Sequence, residues 1–411
     1  MKIKSFKWLM AGALLSAGLL GCGGGSSGGG GGSTVQPLPA GNTRIAGTAS
    51  KGIIYPGTVN VYAVDAAGNK GALLAGPLAT DIGGKYSAPL RSYSGAIVVE
   101  ASGTYTDEAT GSTMTIAASK PLHAVVDKVN ETTDNDRVVS VTPLTEMAWR
   151  KANATGTKPT APTIVSANQL VSDLFKVKDI LGTEPVRPDN ATMASATPDE
   201  QDYTLALATL SEMAKTASGA TDADKLETVI SRMETEVEGA EASGSMSATG
   251  SGDFTTAMGT VPLSADFPST KDRLSGMGKK SQTIILSTSG TLPAGTQIYA
   301  IQGSIALPAG ASLHAASNGS TLSDVFALAG VAAGMGGDPV GNFQGPQQLV
   351  HFSVQLDPTK AGIGIGDFAT MTYDVAAGAT ISAADFSMVA GSLLAKDANG
   401  ADIVGVTVTI K

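Results

Sequence analysis

The chain has 411 residues, with 36 acidic and 27 basic side chains and a formal net charge of −9, so it lacks the basic excess that binding a phosphate backbone requires, and nucleic acid is excluded as a partner. Its single cysteine excludes an internal disulfide framework and a Cys-x-x-Cys-His haem attachment site. The length suffices for two or three domains with packed cores, and 51 glycines beside 5% aromatic residues suit β-rich modules with many turns.

At the N-terminus, Lys2, Lys4 and Lys7 precede an apolar run over residues 8–20, the basic and hydrophobic regions of a secretory signal. The run is too short to span a bilayer, which takes roughly 20 apolar residues. It ends in Leu19-Leu20-Gly21-Cys22, which resembles the lipobox of bacterial lipoproteins. That resemblance implies a diacylglycerol on the Cys22 sulfur, cleavage that leaves Cys22 as the first residue, and usually acylation of its amine. Two or three acyl chains anchor stably where one binds reversibly. Lipidation would also remove the reactive thiol that an odd cysteine leaves in a secreted protein. Gly23, standing where enterobacterial sorting signals carry Asp, points by resemblance to the outer membrane. Loss of residues 1–21 would remove Lys2, Lys4 and Lys7 and take the charge from −9 to −12.

Residues 22–42 read as a tether, almost wholly Gly and Ser before Gln36-Pro37-Leu38-Pro39. About 20 such residues span roughly 25 Å as a flexible coil, enough to lift a domain off lipid headgroups. The Gly-x-Ser-x-Gly matches at Ser26 and Ser27 are low-complexity coincidences, because a nucleophile elbow needs a strand before it and a helix after it.

Residues 43–118 read as short strands. Val59, Val61 and Ala63 alternate with Asn60 and Tyr62, residues 97–99 form a buried-looking apolar run, and Asp65-Ala66-Ala67-Gly68 and Asp81-Ile82-Gly83-Gly84 are turn signals. The segments Gly47-Thr48-Ala49-Ser50-Lys51-Gly52, Gly57-Thr58-Val59-Asn60-Val61-Tyr62 and Gly84-Lys85-Tyr86-Ser87 resemble the carboxypeptidase-regulatory-like, or prealbumin-like, family. The resemblance implies a small Ig-like β-sandwich that acts as a spacer or adhesive without catalysis.

The period then changes, and residues 119–240 are expected to form a small helical domain. Thr142 with Pro143 starts one helix. Ser166 with Gln169 and Thr197 with Glu200 make capping boxes for two more, and Thr221 caps a fourth. Tyr203, Met213 and Met233 fall at core spacing on these helices rather than forming a cofactor box. Trp149 is expected to pack on a neighbouring domain or a later helix. The segment around Val141-Thr142-Pro143-Leu144 is similar to one that follows Ig-like modules in bacterial surface lipoproteins, with no activity attached. Residues 241–279, rich in Ser, Gly and Thr, read as a linker.

Residues 280–411 return to strands, expected at 283–287, 297–307, 349–356, 366–375 and 405–410; in the last, Val406, Val408 and Ile410 alternate with Thr407 and Thr409. The stretch from Ile298 through Gly303 to Leu307, then Gly366 to Val375 and Ser382 to Met388, looks like a cohesin-type domain. That resemblance implies a jelly-roll sandwich shared with bacterial carbohydrate-binding modules. The fold class expected is therefore multidomain α+β: an N-terminal Ig-like sandwich, a central helical domain and a C-terminal cohesin-like jelly roll.

Chemistry-bearing patterns are sparse. His123, His314 and His351 lie in different regions without metal-ligand spacing and read as surface or turn histidines. Gly362, Gly364 and Gly366 lack dinucleotide-binding spacing, and Asp222 and Asp224 belong to a helix start. Asp397-Ala398-Asn399-Gly400-Ala401-Asp402 alternates side-chain oxygens as a calcium loop does. The glycine comes two positions early, however, no glutamate closes the loop, and Asn399-Gly400 is a type I′ hairpin signal. Asp397, Asn399 and Asp402 are thus candidates for a weak calcium site or a plain turn. No nucleophile, acid–base pair or cofactor site is implied. The expected function is a lipid-anchored, non-catalytic module that binds a protein through a flat sheet face of residues 280–411. The alternative is an accessory protein that binds polysaccharide. Tyr299 and Tyr373 are the only large stacking residues of the Trp and Tyr kind in that region, which makes a poor sugar platform. A hydrolase is the third reading, with no residue to name for it.

Overall fold

The computed structural model describes residues 43–130, 135–154, 158–316, 318–376 and 378–411; Cys22 and the tether lie outside them. The first strands are β1 (Thr43–Thr48), β2 (Gly57–Val64), β3 (Lys70–Ala79), β4 (Lys85–Arg91), β5 (Gly95–Thr106), β6 (Thr113–Ile116), β7 (Leu122–Val129) and β8 (Asn135–Val138). One sheet runs β4-β1-β8, and the other runs β3-β2-β5-β6 with β7 also paired to β5. In β4, Tyr86, Ala88 and Leu90 are buried while Lys85, Ser87, Pro89 and Arg91 face solvent, the period-two pattern of a strand with one wet side. Pro77 interrupts hydrogen bonding in β3, which is tolerated because β3 is an edge strand.

Two strands occupy a stretch expected to be helical. β7 is apolar without alternation, since Ala124, Val125 and Val126 are all fully buried. One side of β7 meets the sandwich core and the other meets α1 (Pro143–Ala152) and α2 (Ala161–Phe175). A strand covered on both faces carries no period-two signal, so its sequence does not distinguish it from a buried helix.

The remaining helices are α3 (Asn190–Ser195), α4 (Pro198–Thr216), α5 (Asp222–Ser243), α6 (Ala248–Thr260), α7 (Pro262–Asp266) and α8 (Pro268–Arg273). Thr142, Thr197 and Thr221 are N-caps as expected, Thr197 in a reciprocal box with Glu200 and Thr221 with Asp224. Ser166 is instead interior to α2. That helix starts earlier, at Thr160, whose backbone and side chain engage Thr163, with Pro162 in the first turn. Helices α6 to α8 replace the expected linker. Their Gly, Ser and Thr content is poor for helix, but Phe254 and Met258, four residues apart, are buried on one face.

One hydrophobic core runs from Ile45 to Met277, so the first sandwich and the helices share it. Tyr203 lies fully inside, its hydroxyl 2.6 Å from Thr142 Oγ1 and donating to the Ile180 carbonyl at 2.9 Å. Met213 and Met233 are buried in the same core.

The C-terminal strands are β9 (Lys280–Gly290), β10 (Ala300–Ala306), β11 (Ala311–Ser312), β12 (Phe326–Leu328), β13 (Gly337–Gln344), β14 (Leu349–Leu356), β15 (Asp367–Val375), β16 (Ser387–Met388), β17 (Leu394–Lys396) and β18 (Val406–Ile410). They make two antiparallel sheets. One runs β13-β14-β10-β16 with β17 also on β10; the other runs β11-β15-β9-β18 with β12 on β15. Ile301, Ile305, Val350, Phe352 and Val354 of the first sheet meet Leu286, Phe368, Met371 and Val375 of the second in a separate core. β13 escapes the sequence because Gly337, Pro339 and Gly341 break its pattern, as an edge strand permits. In β18, Val408 is buried while Thr407 and Thr409 are exposed.

The described residues form one compact unit. Among the described residues no helix is long and apolar enough to cross a membrane.

Candidate functional site

Antiparallel register places directly opposed residues on the same face. Across β13, β14, β10 and β17, the residues facing away from the core form rows: Asp338, Gln355, Ala300, Lys396; then Val340, Ser353, Gln302, Leu394. A third row is Asn342, His351 and Ser304, and a fourth is Gln344, Leu349 and Ala306, with Ser387 of β16 beyond it. This face is broad and open. Val340 is 55% exposed and Leu394 39%, and a shallow depression of about 400 Å³ sits over Gln302, Ser304, Val340, Asn342 and His351. The formal charges in these rows are Asp338 and Lys396, both in the end row.

Within the depression Ser304 Oγ lies 2.7 Å from His351 Nδ1, and Ser392 Oγ accepts the Ser304 N–H at 3.0 Å. A hydroxyl–imidazole pair becomes a nucleophile when a third group orients the base. Among the described residues no carboxylate bonds His351. What the face offers is hydrogen-bonding groups beside two exposed aliphatic side chains. Tyr373 is buried with its hydroxyl on Gln282, and Tyr299 is not in these rows.

The other histidines depart from expectation. His314 is only 9% exposed; its Nδ1 is 2.6 Å from Asp324 and its Nε2 2.9 Å from Asp374. Lys176, at the end of α2 with φ 54°, donates to the other Asp374 oxygen at 2.6 Å and to Ser281 at 2.8 Å. Burial alone would lower the His314 pKa, but its bonds to Asp324 and Asp374 raise it to about 9. Burial likewise raises Asp374, and His314 and Lys176 overcome this and hold it at about 2. The cluster joins the helices to the C-terminal sheets. His123 is half-buried, stacked on Trp149 at 5.2 Å and 2.7 Å from Glu146. Trp149 therefore packs on β7. The signal missed in both cases is tertiary: each histidine meets carboxylates distant in sequence.

Asp397, Asn399 and Asp402 lie in a turn. The Gly400 N–H donates to the Asp397 carbonyl, and Asp397 Oδ1 accepts the N–H groups of Asn399 and Ala401 at 2.9 Å each. Asp402 is 2.7 Å from Lys396 Nζ. Gly400 has φ +77° while Asn399 is not left-handed, so the turn is a three-residue type rather than type I′. Asp65 to Gly68 and Asp81 to Gly84 repeat the same bonds, with Gly68 at +79° and Gly84 at +73°. In all three the aspartate oxygen is occupied by its own backbone. No cluster of three or more His, Cys, Asp or Glu able to hold a metal occurs among the described residues.

A separate buried cation is Lys51, fully enclosed and held by Asp107 and Glu108. Lysine in a Gly-rich strand-end segment gives no warning of such burial.

No protein-family model and no curated protein matches the chain. Among solved structures it is similar to type II cohesin A11 from Bacteroides cellulosolvens, at 14% identity over 30% of this chain and 82% of that one, with a TM-score of 0.23. A type II cohesin domain from the cellulosome of Acetivibrio cellulolyticus is 15% identical over 30% and 84%, TM-score 0.22. The type II cohesin dyad from the adaptor ScaA scaffoldin of the same organism is 16% identical over 32% of this chain and 44% of that one, TM-score 0.23. At these values the likeness says nothing of activity or partners.

Proposed function

We propose that this chain is a non-catalytic binding protein, held on a bacterial membrane by lipid on Cys22, that captures a protein through the open face of β13, β14, β10 and β17. In this reading residues 43–118 belong to a carboxypeptidase-regulatory-like spacer and residues 280–411 to a cohesin-like jelly roll. The observation that carries the reading is the character of the face: wide, uncovered, nearly free of formal charge in an acidic chain, with Val340 and Leu394 exposed beside hydrogen-bonding side chains. Depletion of charge at the centre is how protein interfaces differ from ordinary surface. Polysaccharide as the ligand is disfavoured because no tryptophan, tyrosine or phenylalanine ring lies in the rows of this face.

Two measurements test this. Cys22→Ser is expected to move the chain from the membrane fraction to the soluble fraction; an unchanged distribution would remove the anchor. Full-length chain is expected to retain a discrete protein from the secreted proteins of its source, and Val340→Arg with Leu394→Arg is expected to weaken that capture more than about tenfold. Equal capture by the variant, or binding to a glycan array in place of protein, would overturn the assignment.

A further inference from the structure

Lys51 follows β1 and Asp107 follows β5, so the two residues stand at the same end of the first sandwich but on different sheets. The Lys51 side chain is 0% exposed, and those of Asp107 and Glu108 are 5% and 4%. Lys51 Nζ is 3.3 Å from Asp107 Oδ2 and 2.9 Å from Glu108 Oε2, and it sits 5.4 Å from the centre of the Tyr105 ring. The Ser211 hydroxyl accepts from Nζ and donates to the same Glu108 oxygen. The other Asp107 oxygen, Oδ1, accepts from the Ala109 N–H at 3.1 Å, the Thr110 N–H at 2.9 Å and the Thr110 hydroxyl at 3.0 Å. One carboxylate oxygen thus faces the amine, which Glu108 holds from another side, and the other faces three donors.

We propose that Lys51 and Asp107 condense into an intramolecular amide, with Glu108 carrying the protons. Glu108 takes a proton from the Lys51 ammonium, leaving a neutral amine beside a neutral acid. Exchanging two buried charges for two neutral groups removes their desolvation cost. The amine attacks Asp107 Cγ, and the negative charge that develops on Oδ1 falls on the Ala109 and Thr110 donors, at distances typical of an oxyanion hole. Glu108 delivers protons to Oδ2. The Cγ–Oδ2 bond breaks, Oδ2 leaves as water with two of the three ammonium protons, and the third stays on the amide nitrogen. Glu108 ends as the carboxylate it began as, and no redox partner is involved. A cavity of about 540 Å³ lined by Gly52, Thr106, Asp107 and Glu108 gives the water an exit.

Before reaction the pair is ionic: burial lowers the Lys51 pKa, and the charges of Glu108, Tyr105 and Asp107 raise it by more. The amide would bind the segment after β1, the first strand beyond the tether, to the opposite sheet. Traction on the N-terminus would then be carried past β1 by a covalent bond.

Peptide mapping tests this on the full-length chain. Denatured and digested with trypsin, the wild-type chain is expected to yield residues 45–70, uncut at Lys51, joined to residues 92–128 and lighter than their sum by one water. Fragmentation is expected to place the bond at Asp107. Glu108→Gln is expected to keep its circular dichroism spectrum and give the two peptides separately. Free, unmodified 45–51 and 92–128 from the wild type would overturn the proposal. A bond mapped to Glu108, or a linked peptide persisting in Glu108→Gln, would overturn the assigned roles.

Discussion

Asp374→Ala is expected to lower the unfolding free energy by about 3–5 kcal/mol, the usual effect of removing one partner from a buried ionic pair. Asp374 is 2% exposed, and its two oxygens serve different cations, Lys176 on Oδ1 and His314 on Oδ2. Without it, two buried positive groups face each other. His314 keeps Asp324, but that side chain is 49% exposed and its bond is weakened by solvent. Asp374→Asn, which keeps the shape, is expected to lose less. Chemical denaturation reads both, and a change under about 0.5 kcal/mol for Asp374→Ala would mean that the junction does not depend on this carboxylate.

The same cluster sets a pH dependence. His314 is raised from 6.5 to about 9, so its contribution is complete below pH 6.5 and is lost as pH rises through about 9. Asp374 is lowered from 3.8 to about 2, so its contribution is complete above pH 3.8 and is lost as pH falls through about 2. Both are fully present between those two reference values. The alkaline decline in the unfolding midpoint between pH 6.5 and 9 is expected to flatten in His314→Gln. An unchanged decline would place its origin in another group.

Much of the β-structure was legible because more and less buried residues alternate, as in β2 and β18, and the helix starts were legible because Thr142, Thr197 and Thr221 satisfy backbone donors locally. β7 was not, since it is covered on both faces. The open face of β13, β14 and β10 was only partly foreseen. A flat sheet surface was expected, yet its outer edge is β13, whose Gly and Pro hid it. The buried ionic clusters were invisible because Lys51 and Asp107, or Lys176 and Asp374, are adjacent only after folding. The Asp397 loop was open between a weak calcium site and a turn, because calcium ligands and Asx-type turns draw on the same residue types; its Oδ1 accepts the two local N–H bonds of such a turn.

The other large effect is expected at Phe254, in the stretch whose composition suggests a linker. Phe254→Ala is expected to cost about 3–5 kcal/mol, as for other fully buried phenylalanines. Phe254 is 0% exposed and meets Phe175 of α2 edge to face, with ring centres 5.7 Å apart and planes at 78°. Such a pair adds about 0.5–1.5 kcal/mol beyond the area it buries. Thr256, two residues on and exposed, tests whether helix propensity alone is at work: Thr256→Ala is expected to stay within about 0.5 kcal/mol of wild type. The two variants separate the physical alternatives. A linker would tolerate both. A helix held only by local preference would lose little from either, because alanine is the better helix former. Only a helix held by its buried face responds strongly to Phe254 and hardly to Thr256, and Phe175→Ala is then expected to couple with Phe254→Ala in a double-mutant cycle.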